Sequence, residues 1–456
     1  MKSGVPPLAG LCTHAEGAKA GYGIERTVAM LRRYLYIEGQ TTLCLAAHIN
    51  SVPEWEVKAA LSLHLWQDAE HSTWLRNRVA EMRTPPLHLD RVPDPALETF
   101  FQELLRSQST LELLTGVYQV LKPALVAAMK HHIATANPLA DQPTLRLLKF
   151  ILLEEEEQLD WGRRALAALA THPHQNGQTQ LSTSWAEHLQ SYLAAAGGVS
   201  GDDPRPAAEE LPASRATEPF IPVRTPRRDE RFAHLWNSRG VRPDADAPLT
   251  ETNWWNLYVR LTEMHVPELI ALILHDWKDQ PWEFYHDLAR HLWDEARHAM
   301  MGEIAFERLG LDWTAVPHEI SFAEFPNTQL APRDRYTLLW GIEQNAMRPT
   351  GRRYHFETAQ TVGDPLATTF LDYDWADEVL HTQIGRKWLK PAFASGEEMQ
   401  QTFQEVYQQY DNIRQEDMKL ERANWWQDFY RSVTEREAAA ARAEGRVAPK
   451  TMAATD

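Results

Sequence analysis

The stretch His291-Leu-Trp-Asp-Glu-Ala-Arg-His298 decides the fold class, because its Asp-Glu-x-x-His core returns as Asp377-Glu-Val-Leu-His381. Residues three apart lie on one face of a helix, so Glu295 with His298, and Glu378 with His381, each present a carboxylate and an imidazole in the same direction. A single copy is compatible with a solvated acidic face. Two copies inside apolar helical segments, with further glutamates on two other helices, read instead as a set that bites metal ions.

Outward from these motifs, helical periodicity covers about 253–278, 281–309, 333–358 and 364–390, with a further helix over 397–431. A comparable set fills the first half: 24–50, 54–82 closed by Pro85-Pro86, 95–134 with a kink expected at Pro123, and 144–170. The expected class is all-α, two tandem four-helix bundles joined by a long Pro-rich linker. The expected domains are 24–171, a linker at 172–252 with one short helix near 185–196, a second bundle at 253–432, and a disordered tail at 433–456.

The halves read as copies. His64-Leu-Trp-Gln-Asp-Ala-Glu-His71 matches the opening stretch at His, Leu, Trp, Ala and His, and Trp55-Glu56 keeps register with Trp282-Glu283. Carried along the chain, the match sets Glu38 opposite Glu263, Tyr118 opposite Glu343, Glu155 opposite Glu378 and Gln158 opposite His381. The first half therefore offers four donors at most, Glu38, Asp68, His71 and Glu155, and reads as a degenerate, mainly structural copy.

Six donors remain in the second half: Glu263, Glu295, His298, Glu343, Glu378 and His381. Four carboxylates and two neutral imidazoles around two divalent ions would be electrically neutral, as a buried site requires. Oxygen and nitrogen donors without thiolate suit Fe or Mn and leave coordination positions for dioxygen. Asp294 and Asp377, each preceding a motif glutamate, are placed to accept a hydrogen bond from a ligand imidazole. Glu268 competes with Glu263, which the duplication favours, and Pro267 is expected to distort the helix there. His265, His275 and His291 are read as core or surface histidines, Glu303 and Glu307 as solvent or supporting groups, and Arg352, Arg353 and Tyr354 as surface residues.

A chain of 456 residues with net charge −17 and no basic run argues against nucleic-acid and anionic-membrane partners. Cys12 and Cys44 are too few for a disulfide framework, the start lacks a signal-peptide pattern, and no apolar stretch reads as long enough to span a bilayer; a cytoplasmic setting is expected. The 17 Trp and 13 Tyr point to core packing or channel walls.

With single glutamates at 263 and 343, the paired Asp-Glu-x-x-His motifs resemble the ferritin-like non-haem diiron carboxylate superfamily, which includes ribonucleotide reductase small subunits and bacterial diiron monooxygenase hydroxylases. The segment from Asp377 to Trp388 also resembles an uncharacterised bacterial ferritin-like family. The resemblance covers about 140 residues of the second half and implies a four-helix bundle, two irons (or a Mn/Fe pair) and dioxygen as co-substrate. The expected function is an oxygenase or oxidase acting on a small organic substrate, by hydroxylation, N-oxygenation or a related oxidation. Electrons would come from a reductase or ferredoxin, and the chain would be a monomer or homodimer. The alternatives are a ferroxidase or iron-binding protein without an organic substrate, and a metal-free helical scaffold.

Overall fold

A computed structural model describes residues 4–83, 88–171 and 178–443. The backbone is mostly helical, and strand is confined, among the described residues, to one two-residue parallel pair, Leu235–Trp236 with His318–Glu319. The all-α expectation holds. The Pro85-Pro86 stop and the tail beyond residue 443 lie outside the described residues. Two compact units divide the chain: Met1–His48 with Leu63–Ile221, and Ile49–Ser62 with Pro222–Asp456.

Unit 1 contains α1 (His14–Gly17), α2 (Ile24–His48), most of α3 (Trp55–Ala80), α4 (Pro95–Leu104), α5 (Thr110–Thr115), α6 (Lys122–Thr135), α7 (Gln142–Ala170) and α8 (Gln178–Ala195). Asp94 caps α4 and Ser109 caps α5, each accepting a backbone N–H of the first turn. The kink expected at Pro123 takes the form of a π-helical turn over Gly116–Leu121, since Pro123 has no N–H for the carbonyl four residues back. The run Thr110–Thr135 is, by length and composition, apolar enough to cross a bilayer, contrary to the reading from sequence. Its most apolar window is 72% buried in the protein, as a core helix would be.

The segment read as a linker is ordered where it is described. The helix expected near 185–196 starts earlier, at Gln178, and seats Trp185 and Leu189 in the core of unit 1. Buried Arg33 ties the chain that follows back onto α2, donating to the carbonyls of Val199 at 2.7 Å and of Ala196 and Gly198 at 2.8 Å. Hydrogen-bonded charge of this kind holds irregular backbone in place where apolar periodicity is absent.

Unit 2 contains the first turns of α3 and then α9 (Leu249–Leu261), α10 (His265–Asp276), α11 (Trp282–Glu307), α12 (Ser321–Gln329), α13 (Pro332–Ala346), α14 (Arg352–Val362), α15 (Pro365–Leu389), α16 (Gly396–Met418) and α17 (Trp426–Ala443). The single helix expected over 253–278 is two, joined by a 3-10 turn at Thr262–Met264. Pro267 cannot donate to the carbonyl of Glu263, and the distortion expected there falls on that residue. The helix expected over 333–358 also breaks, at residues 347–351. A Cβ on Gly351 would lie 1.9 Å from the carbonyl oxygen of Ala346, so only glycine permits the sharp bend into α14.

The tail expected to be disordered from residue 433 is helical as far as Ala443. Val433 is fully buried, and the Trp254 indole donates to Glu437 at 2.9 Å. Trp254, Trp255, Tyr258, Phe306, Trp426 and Tyr430 share one core, which accounts for much of the tryptophan content of this half. Large aromatics bury 150–250 Å² each, so such a cluster anchors a terminal helix whose outer face is polar.

Candidate metal centre

Five segments of unit 2 converge on one buried cluster. Helix α11 presents His291, Glu295 and His298 at spacings of four and three, and α15 presents Asp374, Glu378 and His381 at the same spacings. Such spacings put all three residues of each helix on one face. The 3-10 turn supplies Glu263, α13 supplies Glu343, and α14 supplies Arg352. Gly302 lets α9 approach α11, because a Cβ there would sit 2.2 Å from the backbone nitrogen of Leu261. That approach brings Glu263 Oε2 within 3.7 Å of His298 Nδ1.

All six donors picked out by the duplicated motifs are buried and brought together. They fall into two neighbouring groups that share Glu295. One comprises His291, Glu295, Glu343 and His381, with ligand atoms within 4.8 Å of one another. The other joins two overlapping triplets, Glu263 with Glu295 and His298, and His298 with Asp374 and Glu378. Asp294 and Asp377 do what their positions suggest, in exchanged fashion. Asp294 on α11 accepts from Nε2 of His381 on α15 at 3.4 Å, and Asp377 on α15 accepts from Nε2 of His298 on α11 at 3.1 Å. Arg297 donates to both aspartates, at 2.5 and 2.6 Å. Each imidazole is thereby turned so that Nδ1 faces the cluster.

Four residues of this cluster were not read as site residues in the sequence. His291, taken there as a core or surface histidine, is fully buried; its Nε2 donates to Glu343 Oε1 at 2.7 Å and its ring stacks on His381 at 3.9 Å. Asp374 is the second. Each stands one helical turn before a Glu-x-x-His motif, and that shared offset was the available signal. Arg352, taken for a surface residue, is buried and holds Glu263 at 3.0 Å and Glu378 through both Nε and Nη2. Arg260 reaches Glu263 at 2.6 Å and Asp374 at 2.5 Å. The rejected competitor Glu268 lies in a separate ion-pair network with Lys58 and Arg228.

The charge balance drawn from six donors therefore changes. Five carboxylates face two guanidiniums, leaving three negative charges in a water-poor setting. Without cations the cluster relieves itself by protonation: burial first, then Glu295 and Asp374, push the Glu378 carboxyl up to about 8, and burial raises Glu263 and Glu343 as well. Glu295 goes the other way. Burial opposes its ionisation, yet the imidazoles of His291, His298 and His381 ranged around it hold it well below the usual carboxylate range. Buried oxygens Glu263 Oε2, Glu343 Oε2 and Glu378 Oε2 have no hydrogen-bond partner among the described residues. Oxygens left bare in this way fit bound cations, since an unpaired buried acceptor costs on the order of 1–3 kcal/mol. Two divalent ions and one small anion would bring the whole set to neutrality.

A cavity of about 220 Å³ abuts the cluster, with Glu263, Glu295, Glu343 and Glu378 in its lining. The same lining includes His265, Phe322, Tyr407 and Tyr410, with the half-buried side chains of Arg239 and Arg414. Buried Glu319 lies between these two, 3.6 Å from Arg239 and 3.7 Å from Arg414. Compared with known proteins, the chain matches no family model, no curated protein and no solved structure.

Proposed function

We propose that unit 2 is an oxygen-activating non-haem dinuclear iron oxidoreductase of ferritin-like type, in which the segments bearing Glu263, Glu295, Glu343 and Glu378 act as a four-helix bundle. The observation that carries this reading is the pair of buried donor groups sharing Glu295, beside a cavity walled by four of the same carboxylates. Glu263, Glu295, His298, Glu343, Glu378 and His381 would hold the ions, with His291 and Asp374 completing the two groups. Oxygen-rich donors with imidazole and no thiolate favour Fe or Mn. Bound there, the ions would supply dioxygen activation, with electrons from a separate reductase or ferredoxin.

The chain's own residues do the rest. Asp294 and Asp377 fix the tautomer and angle of His381 and His298. Arg260 and Arg352 tie Glu263, Asp374 and Glu378 into the cluster. The aromatic part of the cavity lining suits a small planar organic substrate. Arg239 and Arg414 suit an acceptor or anionic group on it, with the lining carboxylates facing the atom to be oxidised. An iron store without an organic substrate would have no use for that lining.

Anaerobic Fe(II) loading followed by metal analysis tests the proposal. The expected result is two irons in unit 2, dioxygen uptake on exposure to air, and loss of both with Glu295→Ala or His381→Ala. Unchanged iron in both variants would overturn it, and stoichiometric build-up of a ferric core would favour iron storage.

A further inference from the structure

Unit 1 holds a counterpart cluster. Glu38 on α2, Asp68 and His71 on α3 and Glu155 on α7 are each 0% exposed, and their ligand atoms lie within 4.8 Å of one another. One more charge sits among them. The buried Lys122 ammonium, placed just after the π-helical turn, donates to Asp68 Oδ1 at 2.9 Å and to Glu155 Oε1 at 2.6 Å.

What the ammonium leaves free is informative. Asp68 Oδ2, Glu155 Oε2, both oxygens of Glu38 and Nδ1 of His71 have no hydrogen-bond partner among the described residues. The nearest approaches to His71 Nδ1, 3.5 Å from Glu38 and 3.7 Å from Glu155, exceed an ordinary hydrogen bond. His71 is also aimed as a metal ligand would be: its Nε2 donates to Glu154 at 2.8 Å, which turns Nδ1 toward the cluster. Three carboxylates against one ammonium leave two negative charges, the amount one divalent cation cancels.

We propose that unit 1 binds a single divalent cation through Glu38, Asp68, His71 and Glu155, with the Lys122 ammonium standing where a second ion would be. The donor set, three carboxylates and one imidazole, takes Mn(II) or Fe(II). A second ion is excluded because the side chains in that half of the cluster are engaged elsewhere. Tyr118 is bonded to His64 at 2.6 Å, and the Gln158 amide donates to Gln67 and to Asp68 Oδ1 at 3.1 Å each. The site stands on unit 1 residues alone and does not require the oxidoreductase reading of unit 2.

The test uses the full chain carrying Glu295→Ala, His298→Ala, Glu378→Ala and His381→Ala, which takes donors from both groups of unit 2, stripped with EDTA and titrated with Mn(II). Electron paramagnetic resonance and metal analysis are expected to show one isolated Mn(II) per chain. Adding Glu38→Gln, which preserves shape, or His71→Ala is expected to remove it, with circular dichroism reporting that the fold is intact. No bound Mn(II) at millimolar concentration in the folded parent would overturn the proposal, because a proton would then be balancing the cluster. So would one Mn(II) that survives both substitutions. The fate of unit 2 is read separately, from the ions lost between wild type and the parent variant.

Discussion

Position for position along the duplication, the two centres keep one trio of donors in common, although Asp374 and Arg260 beside that trio in unit 2 fall on Ile151 and Leu35 in unit 1. Glu38, His71 and Glu155 in unit 1 answer Glu263, His298 and Glu378 in unit 2, and in both units the imidazole is braced by the acid just before the motif glutamate on the partner helix, Glu154 or Asp377. At the other end the changes come in matched pairs. Where His381 leans on Asp294, Gln158 leans on Gln67, an amide pair replacing an imidazole and its acid. Where His291 binds Glu343, His64 binds Tyr118, so the hydrogen bond survives without the carboxylate. A lysine then enters, bonded to Asp68 and Glu155. Hydrogen bonds and a fixed charge thus stand in unit 1 where unit 2 has further carboxylate and imidazole donors, because half-satisfied buried networks are costly.

That contrast breaks most visibly if unit 2 is rebuilt in the image of unit 1. Glu343→Tyr with His381→Gln is expected to lower iron in unit 2 from two ions to one and to cut substrate-independent dioxygen uptake by more than about 100-fold, as loss of donors at a metal centre does. Retention of both ions would mean that His291 and Glu295 suffice. Next in size is Lys122→Ala, which strips the fixed cation from Asp68 and Glu155. Removing one partner of a buried ion pair costs about 3–5 kcal/mol, read by urea unfolding of the metal-free chain. Saturating Mn(II) is expected to restore part of it, and a loss below about 1 kcal/mol would remove lysine from its assigned place.

Subtler still are the bracing acids. Asp294→Asn and Asp377→Asn are expected to weaken metal binding by roughly 10- to 100-fold without loss of fold, measured by competition with a chelator. Equal affinities in wild type and variants would show that the exchanged aspartates do not orient the ligands. The last expected effect is absent at neutral pH, grows only on acidification, and is one the units share. Burial holds His64 in unit 1 and His318 in unit 2 neutral, with both imidazoles pushed down to about 3. The unfolded chain takes up protons at about 6.5 and the folded chain does not, so stability present above that pH is lost as pH falls from about 6.5 towards 3. Each histidine contributes roughly 1.4 kcal/mol per pH unit. His64→Phe and His318→Phe are expected to flatten the acid limb of a stability profile, and an unchanged slope in both would show that neither imidazole is neutral in the fold.

Much of this was legible beforehand because it is periodic. Glu295, His298, Glu378 and His381 announce themselves by spacing, and the duplication selects Glu263 over Glu268, which the fold places in an ion pair with Lys58. His291 and Asp374 were passed over because one extra residue on a helix does not say whether its face is turned inward. Arg352, beside exposed Arg353, looked like surface until the bend at Gly351 placed it against Glu263 and Glu378. Lys122 carried no signal, being a single basic residue in an apolar run.

Sequence alone determined the helical class, the repetition of one half in the other, and which side chains share each helix face, since the α-helix has a fixed period of 3.6 residues. Only the tertiary structure decided that those faces converge, that two arginines stand in one cluster and one lysine in the other, and that residues 178–221 and the helix ending at Ala443 are packed into the units. The physical reason is range. Periodicity acts within a few turns of one helix, whereas charge balance in a buried cluster depends on groups that are distant along the chain and adjacent only after folding.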